Sequence, residues 1–455
     1  MTPKLRLCVN TQTPLVRFKL GYADLRDKYG YSGGPMSLDR LERGTDYEYT
    51  PGGVTGMVHA ALDRMQARGM ISDPTWVSLG VGAPREVIAG RIRICNVDLE
   101  EDKLLLYTAF KEGIWREIHG LGELAFEPGQ YQAYVEYNWM SSKVMLEMLP
   151  DTDIYWVHDF QQLLVGTMIG PSAPAVCRWH VPFRLERASE RLRALIVKGV
   201  DGFDSIIVST KRDLEGLIQA GYRGRAHAIY PYLNMSRVST PSRRLVAATR
   251  AKFGLRPDDA IALVVARMDP VKNQDLAIKA LSTLRNERPS LKLVLVGDGS
   301  FTSSSGGGLG HSKGRLWNAH LRRLISKQRL ADRVVLTGHV SDEELSCLYS
   351  TCQVVLVPSQ IEGFNLTAAE GWLRKKPCIV SEGAGISELV QDGVNGFRLP
   401  PGDVSALAGR LRTLLRSPES AAKMGENGFM TSRLCSIDAA VESLKEAFES
   451  VLKLY

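Results

Sequence analysis

Short apolar runs and segments of helical periodicity alternate along the second half of the chain. The apolar runs lie at 260–266, 291–297, 333–338, 353–358 and 377–380. Short apolar runs bounded by turn residues are typical of buried strands. Because a turn and a helical pattern follow each run, the second half predicts repeated βα units and a parallel sheet.

The first half shows the same alternation in a less regular form. Apolar runs predict strands at 5–9, 153–157, 173–179 and 204–208. Apolar residues spaced three and four apart predict helices at 54–68, 131–148 and 185–198. We therefore expect an α/β chain built of two Rossmann-like, doubly wound parallel-sheet domains.

A polar, basic stretch at 234–258 contains two prolines and predicts a hinge between the halves. We place an N-terminal domain at 1–237, a C-terminal domain at 238–431, and an amphipathic helix at 432–455 for which a return to the first domain is one option. Ligands of open α/β sheets bind at the carboxyl ends of the strands, so we expect a site in a cleft between the domains. A Gly/Ser-rich insert at 297–315 predicts either a surface loop or a lid over that site.

The composition is that of an ordinary globular protein, with 44% hydrophobic and 24% charged residues in 455. No apolar stretch reaches the length of about 18 residues that spans a membrane, and the N-terminal segment lacks a signal-peptide core. We expect a cytoplasmic protein. The basic, amphipathic stretch at 184–198 is read as a solvated helix face, with membrane-surface binding as the less favoured alternative. A net charge of +7 suits an anionic small molecule, and no aromatic-interleaved basic stripe indicates nucleic acid. A homo-oligomer is compatible with the sequence.

Seven cysteines are scattered along the chain without CxxC spacing. Cys8 and Cys378 lie in apolar runs and are expected to be small core residues. Cys347 and Cys352 have no His or further Cys at metal-ligand spacing. We therefore predict no metal site.

Candidate chemistry concentrates after three predicted strands of the second half. Arg267 and Lys272 follow the strand at 260–266, just before a helix expected to begin near Asn273. Arginine offers a fork of donors and lysine a compact charge, so this pair near a helix N-terminus predicts a phosphate pocket.

The segment EGFNLTAAE (362–370) follows the strand at 353–358. Gly363 lets backbone N–H groups approach a ligand, and Asn365 suits a helix cap. If both glutamates lie on the helix, their spacing brings them within about a quarter turn, where carboxylates can accept hydrogen bonds from a ribose or hexose. The next loop, EGAGISE (382–388), predicts an anion-binding nest at another helix start.

These motifs together resemble the donor half of retaining GT-B glycosyltransferases. Segments of the first half resemble the trehalose-6-phosphate synthase family: TPGGVTGMVHAAL (50–62) its Gly-rich loop, YWVHDFQQLL (155–164) its WxHDYHLLP segment, and WHVPFR (179–184) its LHIPFP. EGFNLTAAE is similar to its DGMNLVAKE, with the leading Glu of sucrose-synthase-like relatives. The resemblance covers most of 50–403.

The resemblance implies two domains facing across a cleft and retaining, metal-independent transfer of a hexose, best matched by glucose from UDP-glucose or a similar donor, as in trehalose biosynthesis. It implies catalytic roles for His158, Arg267, Lys272 and Glu362. It further implies donor contacts, which are assigned to Gly52, Gly53, Arg267, Lys272, Glu362, Gly363, Phe364, Asn365, Leu366, Glu370, Gly385, Ile386 and Ser387.

The acceptor end departs from that family. The family's SNR segment, whose Arg grips the acceptor phosphate, is replaced here by Asn10-Thr11-Gln12, and the second His of HDYH is Gln161. Candidate acceptor residues are Arg17, His180, Lys313 and Arg315, and Lys19 is a further basic residue that could replace the missing arginine.

Glucose 6-phosphate is the best-matched acceptor. Unphosphorylated glucose, a glycerol, polyol or cyclitol acceptor, and a non-catalytic sugar-nucleotide-binding role all stay open. A retaining glycosidase would also use two carboxylates, but a hydrolase needs no diphosphate clamp.

Overall fold

A computed structural model of the chain describes residues 4–50, 53–233, 240–298 and 309–455, with the side chains of 309–313 left aside. The chain divides into two compact units, Met1–Tyr230 with Ala440–Tyr455, and Pro231–Ala439. The second unit begins earlier than the expected position 238, because the Leu233 N–H donates to the Cys435 carbonyl at 2.8 Å and its carbonyl accepts from the Ile437 N–H at 3.1 Å.

The first unit is built on a mixed sheet flanked by helices. Its strands are β1 (Leu7–Thr11), β2 (Val16–Phe18), β3 (Met36–Ser37), β4 (Tyr47–Tyr49), β5 (Thr75–Leu79), β6 (Glu86–Ala89), β7 (Ile92–Val97), β8 (Ile154–His158), β9 (Ala175–Arg178), β10 (Ser205–Val208) and β11 (Arg225–Ala228). Its helices are α1 (Tyr22–Tyr29), α2 (Gly53–Ala67), α3 (Glu101–Ile118), α4 (Pro128–Glu147), α5 (Val165–Ile169), α6 (Glu190–Val200) and α7 (Lys211–Gln219).

The strand order of this sheet, among the described residues, is β11-β10-β9-β8-β1-β5-β7-β6-β3. Every pairing in this sheet is parallel except that of β6 with β7. β2 and β4 form a separate two-stranded antiparallel sheet. β1 and β8 are neighbours, so the segments that follow Thr11 and His158 leave the same edge of the sheet. The predicted strands were found, but β5 and β7 were missed because polar residues interrupt their apolar runs.

The second unit contains an all-parallel sheet in the order β14-β13-β12-β15-β16-β17. Its strands are β12 (Ala260–Val265), β13 (Leu291–Val296), β14 (Val334–Gly338), β15 (Val354–Val357), β16 (Cys378–Ser381) and β17 (Phe397–Leu399). Its helices are α8 (Arg243–Lys252), α9 (Gln274–Thr283), α10 (Leu309–Lys327), α11 (Asp342–Thr351), α12 (Leu366–Leu373), α13 (Val404–Arg416) and α14 (Pro418–Ser432). β12, β15 and β16 are adjacent, which brings the three loops singled out in the sequence to neighbouring strand ends.

Three predictions of local structure need correction. The expected hinge contains α8, because Ser242 accepts a hydrogen bond from the Leu245 N–H at 3.2 Å and so caps a helix between the two prolines. Residues 309–315 of the expected loop are the start of α10, and 299–308 lie outside the described residues. The helix expected from 185 begins at Glu190, where Ser189 caps it.

The last helix, α15 (Ile437–Leu452), presents an apolar face, as its periodicity predicts. Val441, Leu444 and Phe448 are buried, and the Phe448 ring meets the ring of Trp156 edge-on at 5.6 Å. Within the described ranges, no helix combines the length and the apolar character that crossing a membrane requires.

Candidate active site

Backbone hydrogen bonds join the loops that follow β12, β15 and β16 into one surface. The Gln360 N–H donates to the Val271 carbonyl at 2.9 Å, and the Glu362 N–H donates to the Gly383 carbonyl at 3.1 Å. A Cβ added to Gly383 would lie 2.0 Å from the Gln360 carbonyl oxygen, so this close approach requires glycine. The three loops are therefore held in a fixed relation before any ligand binds.

Arg267 lies directly after β12, beside a buried carboxylate. Its Nη2 is 3.2 Å from Oδ2 of Asp269, and the Asp269 side chain also accepts from the Val271 N–H at 3.1 Å. The Gln274 side chain donates to the Arg267 carbonyl at 2.8 Å. These contacts hold the guanidinium segment at the start of α9, whose N-cap is Asn273 as the sequence predicts.

Lys272 forms an ion pair with Glu362, a residue 90 positions further along the chain. Both side chains are mostly buried, with exposed fractions of 14% and 17%. The other Glu362 oxygen accepts from Ser359 Oγ at 2.9 Å and from Asn365 Nδ2 at 2.8 Å. Burial alone would raise the pKa of Glu362, but the Lys272 charge and these hydrogen bonds outweigh burial and hold the pKa below its usual value.

Asn365 caps α12 as predicted, since its side chain accepts from the Thr367 N–H at 2.9 Å. Its φ of 86° is a conformation that non-glycine residues rarely adopt outside over-determined sites. Because α12 begins at Leu366, Glu362 lies before the helix, so the condition for a quarter-turn relation of Glu362 to Glu370 is not met. Phe364 and Gly363 are buried in the turn between them.

Glu370 has partners that the motif did not indicate. Its Oε2 accepts from the hydroxyl of Tyr349 at 2.5 Å, and Arg374, the C-cap residue of α12, lies over the Tyr349 ring, 4.8 Å from its centroid. Burial raises the pKa of Glu370, and the Tyr349 hydrogen bond and the Arg374 charge offset only part of that rise. The single Tyr349 hydroxyl therefore fixes one of the two carboxylate oxygens.

The predicted anion nest at 385–387 is corrected by the structure. This segment is a short 3₁₀ helix, Gly385–Leu389, and its N–H groups are already used. Gly385 donates to the Glu362 carbonyl at 3.2 Å, Ile386 to the Phe364 carbonyl at 2.9 Å and Ser387 to the Ala384 carbonyl at 3.0 Å. In this conformation the segment ties the loop after β16 to the glutamate loop and offers no free row of donors.

Two histidines stack at the carboxyl edge of the first unit's sheet. His158 ends β8 and His180 follows β9; their rings are 5.3 Å apart at 11°, and Nδ1 of His158 lies 3.0 Å from Nε2 of His180. Nε2 of His158 is buried and has no hydrogen-bond partner among the described residues. Burial, reinforced by the charge of buried Arg178, holds the pKa of both histidines well below the usual value, so the pair is neutral near pH 7.

Asp159 joins this pair, although the sequence analysis did not select it. Its Oδ1 accepts from the His180 N–H at 3.2 Å, and its φ of 70° is a second rare conformation at a strand end. Burial raises the pKa of Asp159 to about 7, against the hydrogen bonds from the backbone of His180, Phe160 and Val181. The HD dipeptide was the sequence signal that could have identified this carboxyl.

The remaining predicted residues are placed unevenly. Gly53 begins α2 with a φ of 63°, whereas Gly52 lies outside the described residues. Arg17 is half-buried on β2, and Arg315 is exposed on α10. Lys313 lies on the same helix, and its side chain is outside the described part of the chain. Their assignment to an acceptor stays a prediction.

The cysteines are buried free thiols, and Cys8 and Cys378 are core residues as predicted. In the part of the chain that the structure describes, no cluster of three or more His, Cys, Asp or Glu side chains has the arrangement of a metal site.

Comparison with known protein families places this geometry. Residues 246–430, which include Arg267, Lys272, Glu362 and Glu370, match the family described as glycosyl transferases group 1. The second unit therefore contains a glycosyl transferases group 1 domain. The D-inositol 3-phosphate glycosyltransferase of Streptomyces avermitilis is 28% identical over 358 residues, a match that covers 78% of this chain and 72% of that protein.

Solved glycosyltransferase structures share the whole fold. An alpha,alpha-trehalose-phosphate synthase (UDP-forming) from Burkholderia vietnamiensis gives a TM-score of 0.76 at 15% identity, over 98% of this chain and 97% of that chain. A sucrose-phosphate synthase from Thermosynechococcus elongatus gives 0.71 at 17% identity, over 99% and 100%. These likenesses confirm the predicted GT-B fold with two Rossmann-like domains.

Proposed function

We propose that this protein is a retaining, metal-independent hexosyltransferase that moves glucose from a nucleotide diphosphate to a small phosphorylated sugar or polyol. The observation that carries the proposal is the joined surface at the ends of β12, β15 and β16. It holds Lys272 against Glu362, and Arg267 lies on the same loop as Lys272, after β12. Cations and hydroxyl acceptors on one rigid surface match the two chemical parts of a nucleotide sugar.

The cations serve the leaving group. When the glycosidic bond to the diphosphate breaks, negative charge grows on the phosphate oxygens, and fixed positive charges stabilise that transition state most effectively. Arg267 offers a planar fork and Lys272 a point charge for those oxygens. These two side chains supply positive charge at the leaving group. We therefore propose that the reaction needs no metal ion and proceeds when a chelator such as EDTA is present.

The carboxylates serve the neutral parts of the donor. Glu362 is held ionised by Lys272, so it accepts hydrogen bonds from hexose hydroxyls without needing to lose a proton. Glu370 keeps one oxygen on Tyr349 and has the other for the ribose hydroxyls. Both acids therefore act as positioned acceptors, and neither is required as a nucleophile.

In this proposal His158 acts as a neutral hydrogen-bonding group toward the hexose. A neutral imidazole adds no positive charge next to an oxocarbenium-like sugar, whereas a protonated one would oppose it. Retention follows if the acceptor hydroxyl attacks the face that the diphosphate leaves, and the departing phosphate oxygen takes the hydroxyl proton. The bond to phosphate breaks as the new glycosidic bond forms, and no covalent enzyme intermediate is needed.

The names of the similar proteins support a phosphorylated acceptor. One set of relatives is named for D-inositol 3-phosphate and several fold neighbours for trehalose phosphate. Glucose 6-phosphate remains our first candidate, and the named relatives favour an inositol phosphate as the second.

The test is release of nucleoside diphosphate in the presence of EDTA. UDP-, GDP- and ADP-glucose are each offered glucose 6-phosphate, an inositol phosphate, glucose, glycerol 3-phosphate or no acceptor, and the anomeric configuration of any product is read by NMR. Release that depends on a phosphorylated acceptor and gives the α-anomer supports the proposal. Release only with added metal, or an inverted product, contradicts the corresponding part of it.

A further inference from the structure

The guanidinium of Arg17 is half-buried in the first unit and forms no ion pair with the acidic residues that the structure describes. Nε and Nη2 of Arg17 are buried and have no hydrogen-bond partner among the residues that the structure describes. Burial lowers the pKa of this arginine, and no acidic group acts against that effect. A buried donor without a partner costs free energy, and a buried charge without one costs more, so its presence calls for an explanation.

The acid placed to neutralise Arg17 is engaged elsewhere. Glu48 on β4 lies directly opposite Arg17 on β2 in the two-stranded sheet. Its Oε1 is 3.8 Å from the Lys19 ammonium and its Oε2 is 3.6 Å from Nε of Arg43. Lys19 itself is exposed and also donates to the Gly44 carbonyl. Glu48 thus pairs with Lys19 and Arg43, and no ion pair joins Glu48 to Arg17.

The segment that leads into β2 contacts the first turn of α2. Thr55 Oγ1 on α2 donates to the Thr13 carbonyl at 3.3 Å, and the Thr50 N–H donates to the Leu15 carbonyl at 2.9 Å, which extends the pairing of β2 with β4. The first turn of α2 contains no acidic residue, so no side chain of that turn offsets the positive potential of the helix N-terminus.

The same segment borders the edge that holds His158. With its amide oriented to satisfy both groups, Gln162 accepts from the Gln12 N–H and donates to the His158 carbonyl, each at 2.6 Å. The chain that carries Arg17 therefore leaves the sheet next to the proposed catalytic histidine.

We propose that Arg17 binds the anionic group, a phosphate or a carboxylate, of the acceptor. A forked guanidinium forms two parallel hydrogen bonds with such a group. A bound anion would also provide the negative charge that no described acidic residue provides for Arg17. This inference rests on the proposed function for the identity of the acceptor. Arg17 on β2, outside the SNR segment, would then bind the acceptor phosphate in place of the absent SNR arginine.

The test compares Arg17→Gln with Arg43→Gln, which removes the same type of side chain at a position that is 66% exposed and pairs with Glu48. Without ligand, Arg17→Gln should melt at or above the wild-type temperature, because it removes a half-buried charge that has no acidic partner among the described residues. Its KM for a phosphorylated acceptor should rise about 10- to 100-fold, in line with loss of hydrogen bonds to a charged group. Donor KM and release without acceptor should not change, and Arg43→Gln should resemble wild type throughout.

Binding of glucose 6-phosphate, inorganic phosphate and glucose, measured by calorimetry, separates this inference from the proposed function. Arg17-dependent binding of phosphate and glucose 6-phosphate supports the anion site even if no donor turns over. A lower melting temperature with general loss of activity would make Arg17 structural. Equal losses with glucose and glucose 6-phosphate, or a raised donor KM alone, would also overturn the inference, the latter by assigning Arg17 to the donor diphosphate.

Discussion

The two sheet edges of this protein treat charge in opposite ways. In the second unit, Arg267 is 3.2 Å from Asp269, and Lys272 is paired with Glu362. In the first unit, burial and a neighbouring arginine keep His158 and His180 neutral. One edge holds paired charges, and the other holds two histidines in their uncharged forms beside the charge of buried Arg178.

The difference fits a division of labour. Partly buried ion pairs add little net stability once desolvation is counted, so stability is a weak reason to keep Lys272 against Glu362. A charged diphosphate is a better reason, because it can share the cation while hexose hydroxyls approach the carboxylate. The neutral histidine pair suits hydroxyl groups, because it can form hydrogen bonds with them without adding a charge of its own.

Loss of Lys272 should break the comparison most severely. Lys272→Ala removes a charge from the leaving diphosphate and leaves Glu362 without its cation, so turnover should fall by about two orders of magnitude or more. The measurement is the initial rate of nucleoside diphosphate release at saturating donor.

Lys279→Ala is the matched control for that variant. Lys279 forms an ion pair with Asp275 at 2.6 Å on α9, and its side chain is 44% exposed. The control should keep near-normal activity. Near-normal turnover in Lys272→Ala itself, with an unchanged melting temperature, would remove the donor assignment of this edge.

A smaller effect is expected from Tyr349→Phe, which tests whether the second edge also positions its carboxylates. Without the 2.5 Å hydrogen bond to Glu370, the carboxylate loses its orientation, and donor KM should rise about tenfold with a smaller change in kcat. Removing the 2′-hydroxyl from the donor ribose should raise donor KM less in Tyr349→Phe than in wild type, because the variant has already weakened the ribose contact.

Tyr155→Phe is the control for this experiment, since the Tyr155 hydroxyl is also buried and donates to the Met145 carbonyl at 3.1 Å. It should leave donor KM unchanged. Equal loss of deoxy and normal donors in Tyr349→Phe would mean that Glu370 does not bind the ribose.

The two edges also differ in how far the sequence predicts them. The second unit follows from uninterrupted apolar runs, and the Arg267, Lys272 and EGFNLTAAE signals stand at the ends of those runs. The pairing of Lys272 with Glu362 does not follow, because it joins residues 90 positions apart. The nest at 385–387 was expected from its glycines, but a backbone pattern cannot tell whether its N–H groups are already bonded.

The first unit was harder to predict because its chemistry depends on contacts between distant short elements. β2 and β4 have three residues each, too few to show periodicity. Nothing in the sequence therefore distinguishes the half-buried Arg17 from its exposed neighbours. The HD dipeptide indicated His158, whereas the burial that shifts the pKa of Asp159 exists only after β8 and β9 pair.

The smallest predicted effect concerns the pH dependence of stability and sharpens the contrast from the neutral side. Asp159 has a folded-state pKa of about 7 against a usual 3.8, so the folded state binds its proton more tightly than the unfolded state between those values. Stability should therefore fall as pH rises through this window and level off above about pH 7. Asp159→Asn keeps an acceptor oxygen for the His180 N–H and does not titrate, so its melting temperature relative to wild type should increase from pH 5 to pH 8. The histidine pair, whose lowered pKa values cost stability as pH falls below about 6.5, acts in both proteins and cancels in the difference. A difference that does not vary with pH would show that Asp159 is ionised in the folded protein throughout, and the first edge would then carry a charge like the second.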